Sequence, residues 1–359
     1  MSQTRAPRSD RPVRRPRSWR RTLGAYGGAL ALVGGLTSAC SSGDGSVEKP
    51  DLNVGVVTGI GAATFQIGLD QKLFEQSGLN VSLTPFSTDA AAESALAKGQ
   101  IDIAFGDYSE FLDGQNSPVA TKLQVIGEGY DAGENTIGLV ASTSSSLKNT
   151  SLNGTDGVAA QIANGSVSVD VPDLASPEYL ALTTWAISEQ SPLNLNAQNV
   201  NAAGTNTDGP TTATAMINAV VSGSKGTAVL QEPYLTEAIE TGKVTEIANL
   251  DSGNAENMPI SGYFTLRDTA TKDPNTIAAF QSALAQAQAL GASRIAVESA
   301  LTVAKVPPTV VATTAIGNYP TGIVAANLTN VLSLMGSANL QTSGMDAATL
   351  TGGTDNSFS

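Results

Sequence analysis

From position 52 the chain alternates short β-branched apolar runs with amphipathic stretches. Runs at 52–57, 80–84, 101–105 and 123–126 predict strands, and 65–76 and 90–98 predict helices. In the first helical stretch Phe65, Leu69, Leu73 and, one step off, Phe74 recur at helical spacing and make one apolar stripe that a sheet can cover. A stretch rich in serine, threonine and asparagine at 142–153 interrupts the pattern. It resumes with strands at 167–171, 199–202, 227–231 and 244–247 and helices at 175–189, 211–222 and 235–241. A strand at 261–267 then leads into a mainly helical region, 274 to about 335, broken at Val306-Pro307-Pro308 and Tyr319-Pro320-Thr321-Gly322. Such alternation predicts an α/β fold with mainly parallel sheets, in which a second α/β unit is inserted into the first.

The first 40 residues follow different rules. Arg14, Arg15, Arg17, Arg20 and Arg21 precede an uncharged apolar stretch at 23–36. That stretch is shorter than the roughly 17–25 residues a membrane-spanning helix needs, so it predicts a cleaved bacterial export signal. Arg20-Arg21-Thr22-Leu23 partly resembles a twin-arginine signal, which leaves Sec and Tat export both open. Cys40 is the single cysteine of the chain and closes Thr37-Ser38-Ala39-Cys40. This tetrad resembles a lipobox with Leu36 one place early. The expectation is a signal peptide at 1–39, a lipidated Cys40 with a polar tether to residue 50, and anchoring to the outer face of the cell membrane.

Charge and composition narrow the function. Eight of the 19 basic and one of the 32 acidic residues lie in the first 40, leaving 11 basic against 31 acidic residues and a net charge of −20 on the rest. A surface of that sign repels phosphodiester backbones, so no nucleic-acid partner is expected. The chain contains no histidine. That removes His-based metal sites, Ser-His and Cys-His nucleophile systems and the commonest general base near neutral pH. Neither a metal nor a cofactor is expected, and no enzymatic activity.

Two segments carry a family resemblance. Lys72-Leu73-Phe74-Glu75-Gln76-Ser77-Gly78-Leu79-Asn80-Val81 and Ala95-Leu96-Ala97-Lys98-Gly99-Gln100-Ile101-Asp102-Ile103-Ala104 resemble the helix-to-strand turns of the sulfonate, nitrate, taurine and thiamine-precursor binding receptors of bacterial ABC importers. Lys72 stands where that family often has glycine. In the second segment Gly99 ends a helix where a left-handed residue is needed, and Ile101 and Ile103 begin a strand. A third likeness, at Ser222-Gly223 and Gln231-Glu232-Pro233-Tyr234, falls in the second unit, where Gly226-Thr227-Ala228 replaces the family's acidic strand start.

The resemblance implies a two-lobed periplasmic-binding-protein-like type II fold with two crossover strands, near 137–141 and 258–264, and a helical C-terminal region. It implies lobe 1 at 51–139, lobe 2 at 140–259, a return to lobe 1 with C-terminal helices at 260–350, and a frayed tail at 351–359. The implied partners are a small-molecule ligand and an ABC permease with its ATPase, the receptor acting as a monomer. A sensory or co-receptor lipoprotein on the same fold stays open. A pyrimidine-making enzyme on this fold is disfavoured, because such enzymes consume a histidine of their own.

In such sheets ligands sit beyond the carboxyl ends of strands, at helix N-termini. The candidate ligand residues are therefore Gly59, Ile60 and Gly61 after the first strand, Phe86 and Ser87 after the second, and Asp107 and Tyr108 after the third. In the second unit they are Ser176, Thr211, Glu232 and Tyr234. The Gly59-Ile60-Gly61 loop lacks the third glycine of a dinucleotide fingerprint. Arg267 and Arg294 are the only arginines after residue 40, and neither is near a candidate loop. An anionic ligand would lack an arginine fork, whereas Asp89, Asp107 and Glu232 could meet a cationic or amino-bearing ligand with Phe86, Tyr108 and Tyr234 stacked on a flat ring, chemistry that a thiamine-precursor-like heterocycle fits.

Overall fold

A computed structural model describes residues 46–188, 200–202, 210–223, 226–342 and 344–353. The expected signal, Cys40 and the end of the tail lie outside the described residues.

Two five-stranded mixed sheets form the two lobes. Lobe 1 has the order β2-β1-β3-β10-β4, from β1 (Asp51–Val57), β2 (Asn80–Phe86), β3 (Ile103–Asp107), β4 (Leu123–Asp131) and β10 (Pro259–Leu266). Lobe 2 has the order β7-β6-β8-β5-β9, from β5 (Ile137–Ser142), β6 (Val169–Val171), β7 (Val200–Ala202), β8 (Thr227–Gln231) and β9 (Val244–Asn249). Each sheet is parallel in its first three strands. In each, the strand next to them is the first to arrive after the chain changes lobe, and it pairs antiparallel on both sides.

The chain therefore passes between lobes in the connections at 132–136 and 250–258, and β5 and β10 lie wholly inside their sheets. Both connections lie N-terminal to the expected 137–141 and 258–264. Asp251, on the second connection, is 3% exposed and pins the two together. Its carboxylate accepts from the backbone N–H of Asn135 (3.2 Å), Thr136 and Ile137 (2.9 Å) and from the Thr136 hydroxyl (2.7 Å).

Local structure follows the residues with one departure in the first helix. The expected helix over 65–76 is broken into Ala63–Asp70 and Leu73–Gln76, because Lys72 sits between them at φ 57°, the left-handed region that glycine occupies without cost. Gly99 has the left-handed conformation expected of it, at φ 66°. The C-terminal region forms helices Pro274–Leu290, Arg294–Val303, Pro308–Thr313, Ala325–Ser337 and Ala347–Thr351. Phe65, Phe74 and Phe280 pack with Tyr263 of β10 in the lobe 1 core at centroid spacings of 5.3 to 6.2 Å, in tilted, stacked and edge-on pairs. The N-terminal segment is tied to this lobe: the Glu48 carboxylate accepts from Asn275 N–H (3.0 Å) and from Thr276 N–H (2.8 Å), capping the helix Pro274–Leu290.

Candidate functional site

The carboxyl ends of β1, β3, β6 and β8 face a cavity of about 80 Å³ between the lobes. Lobe 1 contributes the loop Thr58 to Gly61, Asp107 and Ser261; lobe 2 contributes Glu178, Thr212, Met216 and the β8 end through Tyr234.

Lobe 1 sets its polar groups by register. β3 and β10 pair antiparallel with Asp107 opposite Ser261 and, two residues along, Phe105 opposite Tyr263. Side chains two apart share a face, so the tilted Phe105–Tyr263 pair, 4.9 Å between centroids, lies on the same face as Asp107 and Ser261. Ser261 is 2% exposed, and its hydroxyl has no partner among the described residues. A buried hydroxyl without a partner costs on the order of 1–3 kcal/mol, so one at a cavity wall is available to a ligand. Gly61 permits this close packing: a Cβ there would sit 2.8 Å from the Ser261 hydroxyl oxygen and 3.1 Å from the Phe105 ring. Asp89, buried at the start of the helix Asp89–Ala97, accepts the Asp107 backbone N–H at 2.9 Å and steadies the end of β3.

Lobe 2 is organised around Glu232, which is 5% exposed. Its carboxylate accepts four hydrogen bonds: from Thr236 N–H (3.1 Å) and hydroxyl (2.7 Å), the Thr314 hydroxyl (2.9 Å) and Ala315 N–H (3.0 Å). Those donors match the roughly four lone-pair positions of a carboxylate, so Glu232 is a structural clamp at the edge of the cavity. Burial, and after it the carboxylates of Glu237 and Glu178, push the Tyr234 phenol above its usual range and keep it neutral.

The structure brings Gly59, Ile60, Gly61, Asp107, Glu232 and Tyr234 to one cavity. Four other candidates lie elsewhere. Tyr108 is 1% exposed and packs edge-on against Phe264 at 5.5 Å in the lobe 1 core. Phe86 is half-buried at the end of β2, Ser87 is exposed, and neither reaches the lining. Ser176 caps the helix Pro177–Ser188, donating to the Asp173 carbonyl (2.8 Å) and accepting from Tyr179 N–H (3.2 Å). The side chain of Thr211 lies outside what is described; its neighbour Thr212 lines the cavity. Ser261, Glu178 and Tyr130 were not singled out by sequence reasoning. For Ser261 the available signal was its place at the start of a strand, which becomes informative only once that strand pairs with β3.

Among the described residues, three carboxylates and no lysine or arginine line the cavity. Among the described residues no group of three or more histidine, cysteine, aspartate or glutamate side chains could hold a metal ion, and no helix is long and apolar enough to cross a membrane.

Solved structures share this architecture. The ligand-binding component of an ABC-type import system from Staphylococcus aureus, solved with zinc bound, is 16% identical, covers 82% of this chain and 94% of its own, and has a TM-score of 0.61. The alkanesulfonate-binding protein SsuA from Xanthomonas axonopodis, bound to MOPS, is 16% identical over 82% of this chain and 95% of its own, also with a TM-score of 0.61. The nitrate-binding protein NrtA from Synechocystis is 14% identical over 74% and 69%, with a TM-score of 0.58. These neighbours bear out the two-lobed fold that residues 72–81 and 95–104 implied. No curated protein matches the chain. The model of the NMT1-like family matches residues 45–306, well over half of the sequence and both sheets, and the chain belongs to that family.

Proposed function

We propose that this protein is an extracytoplasmic solute-binding lipoprotein that holds a small organic solute between its lobes and delivers it, as a monomer, to the permease and ATPase of an ABC importer. The observation that carries this reading is the cavity itself: strand ends from both lobes converge on it, and the buried Ser261 hydroxyl lines it without a partner among the described residues. Its role is binding without chemistry, since a chain with no histidine lacks the usual acid–base and nucleophile-activating group.

The ligand carries an amino group. Asp107 and Glu178 lie at the lining and, among the described residues, no basic side chain does, so a solute cation or N–H donor gains where an anion meets like charge. Asp107 and Ser261, paired across the β3–β10 ladder, would receive that group together, with Gly59, Ile60 and Gly61 closing over it and Tyr234 offering a flat face from lobe 2. Thermal shift with pools of amines, aminopyrimidines, aromatic acids, sulfonates and nitrate tests this. An amino-bearing solute should stabilise the protein by about 2.7 kcal/mol at a hundredfold excess over Kd, and a folded protein that no pool shifts would contradict the reading.

Attachment through Cys40 places the receptor beside its permease. The eight residues from there to Glu48, the cap on lobe 1, reach at most about 28 Å when extended. Cys40→Ala should move the protein from the membrane to the soluble fraction of expressing cells; equal distribution of the two forms would contradict lipid anchoring.

A further inference from the structure

The lobes are joined by two connections in the chain, and a third tie crosses beside them. Residues 314–324 leave the helix Pro308–Thr313 and run from lobe 2 to lobe 1. At the lobe 2 end the Thr314 hydroxyl and Ala315 N–H donate to Glu232, as described above. In the middle Gly317 N–H donates to the Tyr130 hydroxyl (2.8 Å), and Asn318 and Asp131 exchange backbone hydrogen bonds of 2.9 and 3.1 Å. The approach is so close that a Cβ on Gly317 would fall 2.2 Å from the Asp131 carbonyl oxygen. At the lobe 1 end the Tyr319 hydroxyl, on a ring packed 5.2 Å from Tyr130, donates to the Ile60 carbonyl at 2.8 Å. That carbonyl also accepts the Ala63 N–H that closes the turn Ile60–Ala62.

One continuous set of contacts thus leads from a lobe 2 carboxylate to the lobe 1 loop at the cavity wall. We propose that residues 314–319 are an inter-lobe tie in which Tyr319 is a positioning residue for the loop 59–61, and Glu232 makes the setting of that loop depend on where lobe 2 stands. Two-point attachment gives the tie this property: a shift of lobe 2 pulls on Thr314 and Ala315, and the rigid Gly317–Asn318 crossing passes the displacement to Tyr319. That the loop holds a solute rests on the function proposed above; the mechanical link does not.

The link can be read without any ligand, by residue-resolved hydrogen exchange on the full-length protein. Tyr319→Phe keeps the ring and removes the hydroxyl, and should raise exchange at the Ala63 amide about two- to tenfold, the factor expected for one lost hydrogen bond. Glu232→Gln and the near-isosteric Thr314→Val should raise exchange at Ala315 and also at Ala63, in the other lobe. Thr314→Ser, which keeps the hydroxyl, should restore both. Faster exchange at Ala315 with Ala63 unchanged in Glu232→Gln and Thr314→Val would overturn the proposal, as would an unchanged Ala63 in Tyr319→Phe. A solute screen without hits would leave this result standing, so the two readings fail separately.

Discussion

Truncating Asp251 to alanine should lower the unfolding free energy by about 4 kcal/mol. Its carboxylate is the shared acceptor for three backbone N–H groups and one hydroxyl of residues 135–137. Thr136 and Ile137 are fully buried, so water cannot readily replace the lost acceptor there. A buried donor left unmade costs about 1–3 kcal/mol, and more where the lost partner is charged. Two buried amides and a hydroxyl reach the stated loss even after partial relaxation. Asp251→Asn keeps one acceptor oxygen but turns an NH2 toward N–H donors, and should cost about half as much. Urea unfolding at neutral pH measures both; a loss below about 1 kcal/mol for the alanine variant would show that the connections are held by something else. The same residue keeps the two connections side by side.

Stability should fall as pH rises from about 5 to 8, by an amount on the order of a few kcal/mol. Burial, with the Glu128 carboxylate adding to it, pushes the Asp131 carboxyl from its usual 3.8 to about 8. Burial also raises Glu93 from 4.5 to about 7, opposed by a hydrogen bond from Ser117 and assisted by the Asp113 carboxylate. Both folded values lie above the unfolded ones. Below about pH 4 the two groups are protonated in either state and their stabilising contribution is complete. As pH rises the unfolded chain ionises first, and the contribution is lost progressively until the folded groups ionise near 7 and 8. Glu48 and Asp346 are shifted the other way, so their effect falls at acid pH, outside this window. Asp131→Asn should flatten the profile and leave the variant more stable than the wild type at pH 8, by roughly 2 kcal/mol. Chemical unfolding at pH 5, 6.5 and 8 reads both effects, and stability that increases toward pH 8 would contradict the assignment.

Much of the fold was legible because it rests on local rules. The Phe65, Leu69 and Phe74 stripe, the left-handed Gly99 and the alternating runs each report an element or its end through spacing and backbone conformation alone. What stayed hidden was set by partners distant in the chain. β4 continues to Asp131 although Glu128 and Asp131 interrupt its apolar pattern, because Val324 N–H and Asn327 supply partners for Glu128 from the C-terminal region. The connections lie earlier than expected because an apolar run reads the same whether it crosses between lobes or pairs inside a sheet. Only the antiparallel registers of β5 and β10 decide that.

The site divides along the same line. Asp107 follows from its place at a strand end. Tyr108, one residue on, leaves the strand and turns into the core, a consequence of alternation that the neighbouring aspartate obscured. Glu232 has the position expected of a ligand residue, yet two of its four donors come from residues 314 and 315, more than 80 positions away. Ser261 acquires its role only through the Asp107 register.

The most direct test of the account is a calorimetric titration of the solute that stabilises the protein, against the wild type and Asp107→Asn. An amino-bearing solute held by the Asp107–Ser261 pair should bind the variant more weakly by about 1.5–3 kcal/mol, the range for a hydrogen bond to a charged group, with folding barely changed. Affinity unchanged in Asp107→Asn, or tightened as for an anion relieved of a nearby negative charge, would contradict it.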